Sequence, residues 1–150
     1  MCFLGMDINV SVVKANQKIK VENMVLKNTL VYADQECITQ IVSNFLTNAI
    51  KHCEEKNGEK KILIKAKQLK DKVRIFIYNS GENISEDYVD KIWGRFYKID
   101  ESRNREKGGS GIGLAIVKAI MNNYGNKYGV KNLKNGVEFY CDINIDVSEQ

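Results

Sequence analysis

Asn44, Asn48 and Lys51 are the side chains of this chain whose types and spacing best suit chemistry, and they sit in the run NFLTNAIKH at 44–52. At about 100° per residue, Gln40, Asn44, Asn48 and Lys51 fall within an arc of about 80° on a helix. Ile41, Val42, Phe45, Leu46 and Ala49 take the other side, toward a core. Asparagine is a poor helix former, so two of them at i and i+4 cost stability that Glu or Lys would not. Amide oxygens are hard ligands, and Mg2+ takes few such ligands from protein, filling its octahedron with phosphate and water oxygens. The polar face therefore reads as a magnesium-holding surface, with Lys51 supplying a charge for phosphate; a solvated polar face accounts for the same pattern. His52 falls nearer the apolar arc, where a border or core histidine is commoner than a catalyst.

A second stretch, GGSGIGLAIV at 108–117, places Gly108, Gly109, Gly111 and Gly113, with Ser110 and Ile112 between, ahead of an apolar helix. Glycines allow a backbone to approach a ligand closely. The helix start then offers unpaired N–H groups and the positive end of the dipole to phosphate. No Gly-Lys-Ser/Thr follows, so this is not a Walker A loop. No strand leads into it, so it is not the dinucleotide fingerprint. A plain flexible linker into a helix remains open. The two stretches together suggest a magnesium–triphosphate site, which neither supports alone.

The elements that must position these groups follow from periodicity. KIKVEN (18–23) and TLVYA (29–33) read as strands, and Asp34 as the N-cap of a helix running to about Cys53. The alternating runs at 62–69 and 72–79 form a hairpin with one wet face. A short helix is expected from Ser85 to about Trp93, then a charged, glycine-bearing mobile loop at 98–110, then a helix from about Ile112 to Tyr124. Two final strands join through Asn135-Gly136, a hairpin-turn signal. Neighbouring strands and few helices point to an α+β chain, a sheet with helices on one face.

The 150 residues suit one domain. Charge is a mild +4, from 23 basic and 19 acidic residues interspersed, which excludes a nucleic-acid footprint. No apolar run approaches the ~20 residues of a membrane helix. Cys2, Cys37, Cys53 and Cys141 have no C-x-x-C spacing, and His52 is the single histidine, so neither a zinc site nor a disulfide framework is expected. The cysteines read as reduced thiols of a cytosolic domain.

The order of the pieces is more specific than any one of them. The Asn-helix, the hairpin, NSGENI, WGRFYKID, the charged loop and GSGIGLAIV together resemble the ATP-binding catalytic domain of bacterial sensor histidine kinases, over residues 18–145. That family belongs with the gyrase, Hsp90 and MutL ATPases, and the chain is also similar to sensors of the vancomycin-resistance type. The resemblance implies a two-layer α/β sandwich of about five mixed strands and three main helices, the Bergerat-type ATP-binding fold. It implies ATP and Mg2+ as ligands, with Asn48 the direct magnesium ligand, Asn44 a further one, and Lys51 and His52 near phosphate. Asn79 stands where the family has an aspartate that accepts the adenine amino group; its amide oxygen can accept the same bond without charge assistance. Gly81 is retained, Asn83 replaces the second glycine, and Ile84 is expected to line the adenine pocket. Trp93 and Phe96 match an aromatic box that packs a lid base against the core. Lys98 and Arg103, with Arg105 a further candidate, match lid cations; Gly109, Ser110, Gly111, Ile112, Gly113 and Leu114 match the phosphate loop. Near the end, Gly136, Val137, Glu138 and Phe139 lack the family's threonine.

The implied reaction is transfer of the ATP γ-phosphoryl group to a histidine on a separate dimerisation domain of the same sensor, for relay to a response regulator. His52 lies within the binding helix and does not suit the acceptor role. The expected domain is 17–146, with 1–16 an upstream remnant or linker and 147–150 a tail. The isolated domain is expected to be monomeric and to belong to the cytoplasmic part of a membrane-anchored sensor. An anti-sigma-factor serine kinase and a non-catalytic nucleotide-sensing domain share the fold and remain open.

Overall fold

The computed structural model describes residues 2–3, 19–24, 30–31, 33–97 and 111–145. Along the chain run β1 (Cys2–Phe3), β2 (Ile19–Met24), β3 (Leu30–Val31), α1 (Gln35–His52), β4 (Lys60–Gln68), β5 (Lys72–Ser80), a 3-10 turn (Lys91–Trp93), α2 (Gly113–Tyr124), β6 (Tyr128–Leu133) and β7 (Gly136–Asn144). β1 and β3 form a two-stranded ladder; the other strands form a five-stranded sheet in the order β2-β4-β5-β7-β6. β2 runs parallel to β4, and every other neighbouring pair is antiparallel. This is the mixed five-stranded α+β architecture expected from the sequence.

α1 forms where the sequence puts its cap and stripe. Asp34 caps it, its Oδ1 accepting from the N–H groups of Glu36 at 2.8 Å and Cys37 at 3.3 Å. Ile38, Ile41, Phe45 and Ala49 are buried along one face. Burying one such side chain contributes about 1.5–3 kcal/mol. Each mid-helix asparagine costs only about 0.5 kcal/mol relative to a good helix former. The apolar face therefore holds the helix, and the polar face is free to carry residues chosen for something else.

That apolar face packs on Ile62 and Ile64 of β4, Val73, Ile75 and Ile77 of β5, and Val137, Phe139, Cys141 and Ile143 of β7, all buried. The aromatic centre is Phe45, Trp93, Phe139 and Tyr128; Trp93 stands edge-on to Tyr128 at 4.9 Å between centroids and to Phe139 at 5.8 Å. α2 contributes Val117 and Met121 to the same core. The opposite sheet face is tied by cross-strand charges: Arg74 grips Asp142 with two nitrogens, at 2.6 and 2.9 Å, and stacks on Tyr140, while Lys65 reaches the buried Glu138.

Two local expectations need correction. No α-helix spans Ser85 to Trp93: the N–H of Tyr88 donates to Ser85 and that of Lys91 to Tyr88, both three-residue turns, and only the 3-10 turn Lys91–Trp93 follows. The segment is about two turns long and carries Asp87, Tyr88, Val89 and Asp90, weak helix formers that cannot offset the cost of nucleation. Among the described residues there are thus two α-helices and a 3-10 turn where three main helices were expected. The final hairpin turns at Lys134 and Asn135, because Leu133 already pairs with Gly136. Gly136 answers to its neighbour instead: a methyl group there would lie 2.1 Å from the carbonyl oxygen of Asn79 and 2.6 Å from the Tyr78 ring.

Candidate functional site

The two chemically suggestive stretches meet in space. α1 and α2 pack side by side, and the asparagine face of α1 turns toward the start of α2. A methyl group placed on Gly113 would sit 3.2 Å from Oδ1 of Asn44, tighter than ordinary contact. Glycine at the first residue of α2 is what admits the asparagine side chain. Asn48 and Lys51, half-buried, continue the same face.

The start of α2 differs from the start of α1. Its N-cap residue is Ile112, which makes no side-chain cap hydrogen bond, and no acidic residue stands in the first turn. A helix start without its own side-chain cap, at the positive end of the dipole, suits an anion, and phosphate at such a terminus is a common solution. Asn44 lies beside that terminus, with Asn48 one turn further along the same face of α1, so an amide oxygen and a helix start come together. Among the described residues no group of three His, Cys, Asp or Glu side chains could hold a metal. The donor set here is amide oxygen alone, which fits an ion such as Mg2+ that takes most of its oxygens from phosphate and water.

The other end of the site is built where β5 leaves the sheet. Asn79 is 3% exposed, on the sheet face that carries the core, paired in register with Ile62 and Val137. Its Nδ2 donates to the carbonyl oxygens of Ser80 at 3.2 Å and His52 at 3.4 Å, which leaves Oδ1 as the acceptor side of the amide. Ser80 locks β5 to the end of α1, its hydroxyl donating to the carbonyl of Glu54 at 2.7 Å and accepting from the N–H of Lys61 at 2.9 Å. Gly81 has φ +150°, and a side chain there would press on the His52 carbonyl at 3.0 Å. Its N–H donates to the carbonyl of Asn135 at 3.0 Å. Ile84 is half-buried against the core. At the rim, Lys56 pairs with Glu82, which holds the Glu82 carboxyl below and the Lys56 ammonium above their ordinary values.

Sequence-predicted residues thus fall into three groups. Asn44 meets Gly113, in the stretch Gly111, Ile112, Gly113 and Leu114 where α1 packs on the start of α2, and Asn48 follows one turn along α1; Asn79 and Gly81 lie at the end of β5, with Ile84 in the loop beyond. Lys51 is half-buried near the end of α1, and His52, expected at the apolar border, is exposed, because α1 ends there and the chain turns away at Cys53. Trp93 packs into the core, but Phe96 does not: it is 73% exposed. Its backbone adopts φ +59°, and its N–H donates to the carbonyl of Gly111 at 2.9 Å, a geometry that turns the ring outward. Lys98, Arg103, Arg105, Gly109 and Ser110 lie outside the described residues.

Two polar residues escaped the reading of the sequence as structure-makers. Asn83 donates to the carbonyls of Leu133 and Gly136, both at 2.9 Å. Asn132 accepts from the N–H of Ile84 at 2.9 Å and donates to its carbonyl at 2.7 Å. An exposed asparagine beside a turn carries no signal of such a reach. Cys53 and Cys141 are buried free thiols and Cys37 a partly exposed one, and burial pushes the Cys141 thiol up to about 12.

A family model described as histidine kinase-, DNA gyrase B- and HSP90-like ATPase matches residues 33–147. The sensor protein kinase WalK of Staphylococcus aureus is 29% identical over 150 residues, a match covering 98% of this chain and 35% of WalK. The chain therefore spans about a third of the length of that relative. The nucleotide-free catalytic domain of the histidine kinase ThkA superposes with a TM-score of 0.72 at 31% identity, over 85% of this chain and 80% of that one. ThkA in complex with the response regulator protein TrrA gives 0.64 at 28% identity, over 88% of this chain and 36% of that one. Full-length ShkA in complex with AMPPNP gives 0.70 at 25% identity, over 88% of this chain and 27% of that one.

Proposed function

The chain belongs to the histidine kinase-, DNA gyrase B- and HSP90-like ATPase family, and from that premise we propose that it binds Mg-ATP and donates the γ-phosphoryl group to a histidine on a separate dimerisation domain of the same sensor kinase. The observation that carries this reading is the approach of Asn44 to Gly113, which sets an amide oxygen beside a helix start that lacks its own side-chain cap. Phosphoryl transfer asks for positioning and charge neutralisation more than for covalent chemistry by the protein. A group that holds the triphosphate at one end and the base at the other supplies the positioning.

Asn48, with Asn44, would hold the magnesium ion, which when bound neutralises phosphate charge. The backbone N–H groups of 111–113 and the Lys51 ammonium would take phosphate oxygens. Oδ1 of Asn79 would accept the adenine amino proton, with Gly81 giving the base room and Ile84 flanking it. His52 is the single histidine of the chain and lies at the end of the binding helix. The acceptor is therefore assigned to another domain, and a response regulator to the step after it. The complex of ThkA with TrrA supports that onward partner, and AMPPNP on ShkA supports the nucleotide. In this reading the chain is the cytoplasmic catalytic part of a membrane-anchored sensor.

Calorimetric titration with a non-hydrolysable ATP analogue, with and without Mg2+, tests the binding; radiolabel transfer to an added histidine-bearing domain tests the reaction. Magnesium-dependent binding with acid-labile label on that domain is expected. Label on a serine would move the chain to the serine-kinase branch of the fold, and binding without any transfer would leave it a nucleotide sensor.

A further inference from the structure

The loop that follows β5 is held by side chains in place of a sheet ladder. β5 ends at Ser80, and Gly81 makes the last backbone bond across, to Asn135. Beyond that point the amides of Asn83 and Asn132 take over, with four hydrogen bonds of 2.7–2.9 Å to backbone groups. Asn132 binds both the N–H and the C=O of Ile84, the pattern a paired strand residue would make. Asn83 bridges two carbonyls of the β6–β7 hairpin, Leu133 and Gly136. Asn132 also stands in one cross-strand row with Val137 and Asn79.

Both asparagines are exposed. Water could satisfy the same loop groups there, so the core does not require these bonds. Each contributes about 1 kcal/mol net. Together they suffice to select one loop conformation from many, in the segment that carries Gly81 and Ile84.

We propose that Asn132 is a positioning residue for the base end of the nucleotide: its amide fixes the backbone of Ile84, and Asn83 fixes the same loop from its other side, so that the adenine pocket exists before the ligand arrives. This rests on the Mg-ATP reading above. A preformed pocket spares the ligand the ordering cost of the loop. The dependence falls on the base alone, because the phosphate end is built by α1 and α2.

Asn132→Ala and, separately, Asn83→Ala test this by titration with two probes in the presence of Mg2+: AMPPNP, which has a base, and inorganic tripolyphosphate, which has none. Asn132→Ala should weaken AMPPNP about tenfold and leave tripolyphosphate unchanged, with Asn83→Ala weaker in the same direction. The unliganded melting temperature of each variant serves as the fold control. Equal AMPPNP affinity for wild type and both alanine variants overturns the proposal, and so does an equal loss for both probes. A wild-type chain that binds tripolyphosphate but not AMPPNP overturns the adenine reading itself, and one that binds neither overturns the Mg-ATP reading.

Discussion

The two ends of the candidate site are built on opposite plans. At the base end every element is tied to another: Asn79 to His52 and Ser80, Ser80 to Glu54 and Lys61, Gly81 to Asn135, and Asn83 and Asn132 across to their partners. At the phosphate end α2 starts without a side-chain cap, beside half-buried asparagines. A base is flat and weakly polar, and is recognised by shape, which requires a rigid frame. A triphosphate with its metal brings its own charge and ligands, so the protein serves it best with unspent donors. On the proposed Mg-ATP reading, one end would be finished before binding and the other completed by it.

The widest separation of the two ends comes from Gly136→Val. Its side chain would drive into the Asn79 carbonyl and the Tyr78 ring. The sheet should lose at least ~3 kcal/mol, seen as a large drop in melting temperature with binding lost at both ends. A near-native melting curve would break the claim that the base end is rigid. Asn48→Ala should instead spare the fold and abolish magnesium-dependent binding of AMPPNP, a loss of about 100-fold or more; unchanged affinity by calorimetry would remove Asn48 from the metal. Gly113→Ala should push Asn44 aside by a few tenths of an ångström and weaken Mg-nucleotide binding about tenfold. Its effect should vanish in an Asn44→Ala background, where the clash is gone.

The smallest effect concerns the rim of the base end. Lys56 lowers the Glu82 carboxyl below its ordinary value. A carboxyl so depressed adds stability that is present above its unfolded value and is lost as pH falls through the folded one. Wild type and Glu82→Gln should therefore differ slightly in melting temperature at neutral pH and converge under acid. Divergence on acidification would reverse the sign and break the pair. Glu82 is exposed and Lys56 partly so, so salt should shrink the difference as well.

What the sequence revealed follows the same division. Periodicity exposes α1, β4, β5 and α2, because each carries a repeating apolar stripe, whereas the approach of Asn44 to Gly113 needs the packing of α1 on α2. The turns at Ser85–Trp93 read as a helix because a short amphipathic run looks helical whether or not it can nucleate. Gly136 reads as a turn residue because its reason lies on another strand, at Asn79 and Tyr78. Asn83 and Asn132 were invisible for the same cause: a side-chain amide bonding a backbone about fifty residues away leaves no trace in spacing. Residue type exposes a hard ligand or a glycine loop, while long-range hydrogen bonds need the fold.

The strand order carries a consequence for assembly in time. β4–β5 and β6–β7 are local hairpins, whose closure entropy is small. β2 is the lone parallel member, at the sheet edge among the described strands, and can pair with β4 only after α1 has crossed between them. Long-range pairings of this kind come late in folding and open first in the native state. Amide hydrogens of Ile19–Met24 should thus exchange with deuterium well before those of β5, which is bonded on both sides. The chain would loosen first at the edge strand, with β4 standing between it and the strand that ends in Asn79 and Gly81.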